Sequence, residues 1–207
     1  MEKMNILAIG AHPDDVEFGC GGALAKFASK GHRVFLLVMT RGGMGGVPQT
    51  RAKEQTRAKT ILGIQEVFWG GYRDTYLAAD KKMIGKIENV ITRVKPAFIF
   101  CHYPDDTHQD HRNLSQATIS ATRYIKNVLF YEGPTTQNFS PEVFIDISET
   151  LDRKVVALKA HHSQVTKTNV EDLTIVELAH SSANFRGIQG RVKYAEGFQA
   201  LRLLKNI

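Results

Sequence analysis

Short apolar runs that end abruptly in polar loops constrain this chain more than any other feature. Ile6-Leu7-Ala8-Ile9 stops at Gly10, and Arg33-Val34-Phe35-Leu36-Leu37-Val38-Met39 runs into a glycine-rich loop. Ala97-Phe98-Ile99-Phe100-Cys101 runs into a loop rich in His and Asp. Apolar runs of this length, bounded by turn residues, read as strands buried on both faces. Helical segments lie between them. Lys81 to Val94 carries Met83, Ile84, Ile87, Val90, Ile91 and Val94 at helical spacing, and Pro96 ends it. Strands buried on both faces and separated by helices call for a mostly parallel sheet covered on both sides.

The remaining pattern extends this reading. Further helices are expected over 22–30, 50–62, 113–126, 151–161 and 173–186, the second of them stopped by Gly63. Further strands are expected over 66–69, 128–131 and 143–146, with a short extended tail at 194–198. The alternation predicts an α/β, three-layer, Rossmann-like domain with a mostly parallel sheet. The 207 residues show no repeat, low-complexity tract or linker, so residues 1–207 read as a single domain.

Composition narrows the partners. Apolar residues make up 43% and charged residues 23%, as in ordinary globular proteins. No apolar run approaches the ~20 residues that span a bilayer. The opening Met1-Glu2-Lys3-Met4-Asn5 lacks the h-region of a signal peptide, which gives the expectation of a cytoplasmic protein without a membrane partner. Cys20 and Cys101 have no second Cys or His at zinc-finger spacing and read as reduced core residues. The formal charge of +6 suits a nucleic acid or an anionic small molecule. The basic residues are scattered over helices without interleaved aromatics, which reads as solvated faces with no nucleic-acid partner.

Two loops carry the chemistry. His12-Pro13-Asp14-Asp15 follows the first apolar run. In an open α/β sheet such a loop lies at the carboxyl end of its strand, where ligands bind. Pro13 stiffens the turn and pushes His12 toward extended geometry. Imidazole and carboxylate together suit zinc or a similar divalent ion. Helix capping accounts for one aspartate, but not for two, and it gives His12 no role. The second loop, His102 to Arg112, contains His108-x-Asp110-His111. His111 offers a further ligand, His108 faces the same cavity by its spacing, and Asp110 is placed to hold one ring in a defined tautomer. The glycines at 42, 43, 45 and 46 lack the Lys-Ser/Thr of a P-loop and the G-x-G-x-x-G spacing, so they read as a flexible substrate loop. His161-His162 follows a helix and is within reach of the site, but a surface pair or a helix C-cap is the preferred reading.

These residues resemble the zinc-dependent N-deacetylases of the LmbE/PIG-L family. The resemblance rests on His12-Pro13-Asp14-Asp15 with His108-x-Asp110-His111. Thr40-Arg41-Gly42, the Arg51 to Gly63 helix, Gly71 to Asp74, Ala160-His161-His162-Ser163-Gln164 and Tyr194 to Phe198 support it. Members of that family remove acetyl from N-acetylglucosamine units, and the tail is most similar to the bacillithiol-type enzymes. The resemblance implies that His12, Asp15 and His111 bind Zn2+ and that Asp14 is the general base. It implies that His108 stabilises the oxyanion and protonates the leaving amine, with Asp110 supporting it. Arg41 and Asp74 match positions that contact the sugar or its substituent. It also implies a small N-acetylated amino sugar as substrate and a homo-oligomer, trimer or hexamer. This sequence departs from the family pattern at Gly43 and Gln55, where acidic residues are common, and in ending soon after Phe198. The rivals in other classes are a metal-dependent phosphoesterase and a non-enzymatic basic anion- or nucleic-acid-binding protein.

Overall fold

The computed structural model describes residues 3–204. The elements follow as β1 (Asn5–Gly10), α1 (Asp15–Ser29), β2 (Arg33–Thr40), α2 (Pro48–Leu62), β3 (Glu66–Tyr72), α3 (Lys81–Val94) and β4 (Phe98–His102). Then come α4 (Gln109–Ala121), β5 (Val128–Tyr131), β6 (Val143–Asp146), α5 (Leu151–Ala160), α6 (Ile175–Gly190) and β7 (Ala195–Arg202). The strands form one sheet in the order β3-β2-β1-β4-β5-β7-β6. The first five are parallel to one another, and β7 runs antiparallel between β5 and β6. The mostly parallel, three-layer α/β architecture expected from the sequence is the one observed. The extended tail is longer than expected: it is a full eight-residue strand inside the sheet.

Side-chain alternation along the strands splits the core into two layers. Ile6, Ala8, Val34, Leu36 and Phe100 face α1, α2 and α5, where they meet Leu24, Ala58, Leu62 and Ala157. Leu7, Ile9, Phe35, Leu37 and Ile99 face α3 and α4, where they meet Met83, Ile87, Val90, Leu114 and Ala117. The helical spacing of α3 is therefore a buried stripe, with Asp80 accepting the Met83 N–H as its cap.

The strand order decides where a ligand binds. The chain runs outward from β1 through β2 to β3, then returns to lay β4 on the other side of β1. The crevice where the order reverses lies between the carboxyl ends of β1 and β4. The two polar loops leave the sheet at those ends.

Three helices begin earlier than the sequence suggests, α2 by only two residues and two others by more. The first was expected at 22 and starts at Asp15, so the glycine cluster lies inside it. The glycines are needed for packing: a Cβ on Gly19 would lie 2.1 Å from the Tyr131 ring. The helix is broken at Cys20, whose φ of −147° is not helical. A buried ion pair repairs the break. Lys154 Nζ donates to the Phe18 carbonyl, and Glu196 accepts the N–H groups of Gly22 and Ala23 at 2.8 and 2.7 Å. Lys154 and Glu196 are themselves paired at 2.7 Å. The expected start at 22 is thus the second half of a kinked helix. The fourth helix was expected over 113–126 and occupies Gln109–Ala121. Its cap is His108, whose Nδ1 accepts the Asp110 N–H at 3.2 Å. Histidine is not among the usual capping residues, so the early start has no plain sequence signal. Both cysteines are unpaired and buried, as read.

Candidate metal centre

Asp15 opens α1 and His111 lies in the first turn of α4. Their early starts bring both residues to the crevice, with two helix N-termini favouring negative charge there. His12, Asp15 and His111 offer one ligand atom each, all within 4.8 Å of one another. His12, His108 and Asp110 form a second such set. The sets share His12, so among the described residues they mark a single centre.

The donors fit a divalent ion. His111 Nε2 is 3.4 Å from Asp15 Oδ1, and its Nδ1 is 3.2 Å from Asp106 Oδ2. Neither nitrogen of this buried ring makes an aligned hydrogen bond. Two imidazoles and one carboxylate are a zinc donor set that leaves a coordination position open. Asp106 is fixed by the His108 N–H at 2.8 Å and by the hydroxyls of Thr135 and Thr136 at 2.7 and 3.0 Å. A carboxylate behind a ligating histidine orients the ring and raises its basicity.

Charge in the centre follows from this crowding. Burial would raise the Asp15 pKa, but His111, His102 and His12 outweigh it and hold the carboxyl well below its ordinary value. Burial would lower that of His111, but Asp15 and Asp106 raise it to about 9. His12 is raised well above the ordinary value, its burial outweighed by Asp15 and by hydrogen bonds to Asp110, Asp15 and Asp74. His108 moves the other way, lowered by burial and by the neighbouring His111 and His12. That shift favours the neutral His108 ring over the protonated one. With Nδ1 accepting the Asp110 N–H, the proton of the neutral ring sits on Nε2.

Asp14 stands apart from the ligands. Its φ of 89° lies in the left-handed region, which costs a non-glycine residue about 1–3 kcal/mol. Arg51 holds the turn in place. Its Nη2 donates to the Pro13 carbonyl at 2.7 Å and meets Asp14 Oδ2 at 3.2 Å, while Nη1 donates to the Gly42 carbonyl at 2.9 Å. A Cβ on Gly42 would collide with this guanidinium, so its placement requires glycine at 42. Burial pushes the Asp14 carboxyl up to about 6, against the pull of Arg51 and His161.

The remaining candidates divide. Asp74 joins the centre, with Oδ1 2.9 Å from His12 Nε2 and Oδ2 accepting the Met44 N–H at 2.7 Å. Burial opposes its ionisation, but the hydrogen bond from His12 leads the groups that bring its pKa to about 2. Asp110 turns its carboxylate to His12 Nε2 at 3.2 Å and to the Thr75 and Leu77 N–H groups. It reaches His108 only through its own N–H. Arg41 does not touch the centre. It lines an adjoining cavity of about 490 Å3 with Arg73, Trp69, Tyr72 and Met44, and its guanidinium lies 5.7 Å from the Trp69 ring centroid. Asp74 belongs to both spaces.

Sequence reasoning missed several residues. Arg51 had no signal beyond its place in a helix after a glycine loop, and Asp106 resembled any acid in a polar turn. His161 is the C-cap of α5 but is buried, which corrects the reading of a surface pair. It faces Glu17 at 3.7 Å, and only His162 is exposed, at 62%.

Comparison with known proteins agrees with this geometry. Residues 7–122, which include both loops, match the family described as PIG-L: GlcNAc-PI de-N-acetylase. The chain belongs to the PIG-L family. It is 37% identical over 172 residues to an uncharacterized deacetylase of Escherichia coli, YaiS, covering 78% of this chain and 92% of that one. It is 29% identical over 195 residues to the "Probable N-acetyl-alpha-D-glucosaminyl L-malate deacetylase 2" of Bacillus cereus, covering 83% and 88%. Among solved structures, a conserved protein of Thermus thermophilus superposes with a TM-score of 0.87 at 28% identity, covering 99% of this chain and 97% of that one. The His/Asp cluster able to hold a divalent ion lies within the residues matched to the PIG-L family. No helix among the described residues is long and apolar enough to cross a membrane.

Proposed function

We propose that this PIG-L protein is a zinc-dependent hydrolase that removes acetyl from a small N-acetylated amino sugar or glycoconjugate. The observation that carries this reading is the compact His12, Asp15 and His111 set with a strained, clamped Asp14 beside it. His12, Asp15 and His111 would hold the zinc ion, which would supply a Lewis acid for the amide carbonyl and lower the pKa of water toward about 7. Asp14 is not needed as a ligand and takes the proton of the attacking water. Its raised pKa of about 6 suits a group that accepts a proton and gives it up again. As the water oxygen bonds to the carbonyl carbon, charge grows on the carbonyl oxygen, and the Nε2–H of neutral His108 donates to it. One such donor is worth about 3–4 kcal/mol. When the carbon–nitrogen bond breaks, Asp14 passes its proton to the nitrogen, and acetate and the amine leave. His108 acts as the oxyanion donor; giving up its only ring proton would leave an imidazolate.

Arg41 and Asp74 are the substrate contacts in this reading. Asp74 borders the centre and accepts a sugar hydroxyl. The cavity beside it shares no metal ligand, so it takes the part of the substrate away from the acetamide. Its two guanidiniums, Arg41 and Arg73, suit a carboxylate on that part. The malate named for the Bacillus cereus relative is one such substituent. Two-metal phosphoester chemistry has less support, because both ligand sets depend on His12.

The test is acetate release by zinc-loaded protein from a panel of N-acetylglucosamine derivatives. The panel contains the free sugar, a malate glycoside, an inositol glycoside, a nucleotide-linked sugar and a β-linked disaccharide. Release is expected, fastest from an anionic member. Silence across the panel with zinc bound removes the amino-sugar deacetylase reading.

A further inference from the structure

His102, the last residue of β4, has no part in the steps above, yet it is 1% exposed and packed between two of the ligands. Its Nε2 is 3.0 Å from Asp15 Oδ2. Its ring lies flat on His111, with centroids 4.0 Å apart and planes 13° from parallel. Asp15 Oδ2 also accepts the His12 N–H at 2.7 Å. One carboxylate oxygen is therefore held from two sides, while the other, Oδ1, is turned to His111 Nε2.

The proton on His102 can be placed. Nε2 lies 3.0 Å from a carboxylate oxygen, and the Ala11 N–H points at the same nitrogen from 3.3 Å, a longer and uncharged contact that competes for it. A bare ring nitrogen would set its lone pair against the buried carboxylate, so Nε2 carries the proton and donates it to Oδ2. The backbone fixes the ring's origin, since His102 pairs with Tyr131 in the sheet and its carbonyl accepts the Ser115 hydroxyl at 2.8 Å.

We propose that His102 is a positioning residue for the metal centre: by holding Oδ2 of Asp15 it presents Oδ1 alone to the ion. A carboxylate free to turn would bind through both oxygens and use the position that water needs. Stacking on His111 steadies a second ligand from the same side chain. The proposal rests on the metal centre of the proposed function and not on its substrate.

Two substitutions separate the proton from the ring. His102→Phe keeps a flat ring and loses the donor; His102→Gln keeps a donor and loses the ring. Zinc affinity is read by competition with a chromophoric chelator, and geometry from the visible spectrum of the cobalt-loaded protein. His102→Phe is expected to weaken zinc binding by about 10–100-fold. Its cobalt bands should weaken, as they do when a tetrahedral ion gains a ligand. His102→Gln is expected to keep affinity and spectrum close to wild type. Where Phe does not fold, His102→Leu against His102→Gln makes the same comparison. A donor-less variant with wild-type affinity and spectrum overturns the proposal, and so does an equal loss in donor-less and Gln variants. A wild-type protein that binds no zinc overturns this and the proposed function together. Tight zinc binding without acetate release removes only the function.

Discussion

The residues around His12 and those around Arg41 lie on either side of Asp74 and are held in opposite ways. On the metal side, His12, Asp15, Asp110 and His111 lie in a buried cleft, each tied to residues from another loop or helix. On the cavity side, Arg41 and Arg73 are exposed and rest on aromatic rings, Arg73 at 4.3 Å from the Tyr76 centroid. An exposed cation–π contact is worth only about 0.5–1 kcal/mol. Met44, which lines the same cavity, is 69% exposed. In the proposed reaction the geometry of bond cleavage is thus fixed before substrate arrives, while the wall proposed to select the substituent adjusts to it. Preorganised charge lowers a barrier only if it stays put, whereas a surface guanidinium follows its partner at little cost.

That contrast breaks most readily at Asp14. Asp14→Ala should retain zinc and lose kcat by about 10²–10⁴. Zinc content and turnover measured on the same sample check this, and near-normal turnover removes the assignment of the base. The clamp on Asp14 comes from Arg51, so the metal itself should be undisturbed.

A smaller effect sharpens the electrostatic side. In the metal-free protein His111, raised to about 9 by carboxylates that outweigh its burial, is protonated at pH 7. Zinc must displace that proton, so affinity should fall about tenfold for each pH unit below 9 per proton displaced. Calorimetry in two buffers of different ionisation enthalpy should show at least one proton released at pH 7, and no release would contradict the assignment. The sign for folding is the reverse. A pKa raised above the unfolded 6.5 stabilises the metal-free fold fully below pH 6.5, and that contribution disappears as pH rises through about 9.

The smallest effect belongs to the cavity wall. Arg73→Gln should raise KM several-fold for a carboxylate-bearing substrate, on the order of 1 kcal/mol for one exposed charge contact. Zinc affinity should be unchanged. A loss that falls on kcat instead would place Arg73 nearer the reacting atoms.

Much of this was legible in the chain. Local pattern marks strands that are buried on both faces, and the connection rules leave few ways to arrange them. Two His/Asp loops leaving such strands identify a metal chemistry, because no packed turn benefits from so many ionisable groups. Helix starts were less legible. His108 as a cap and the glycines of α1 obey no local rule: they answer to the Asp110 N–H, to Tyr131 and to a distant Lys154–Glu196 pair.

The sequence by itself determined the layers, the parallel sheet and the residues able to bind a metal, since each follows from neighbours a few positions apart. Tertiary structure alone decided which side chains serve them. Asp106 reaches His111 across the first turn of α4, Arg51 reaches Asp14 from another helix, and His102 reaches Asp15 from the adjacent strand. It also decided that the carboxylate of Asp110 serves His12 and that Arg41 lines the adjoining cavity rather than the centre itself. The pairs that join the two loops, His102 with Asp15 and Asp110 with His12, are fixed by the reversal of strand order between β1 and β4, which brings residues about ninety positions apart within hydrogen-bonding distance.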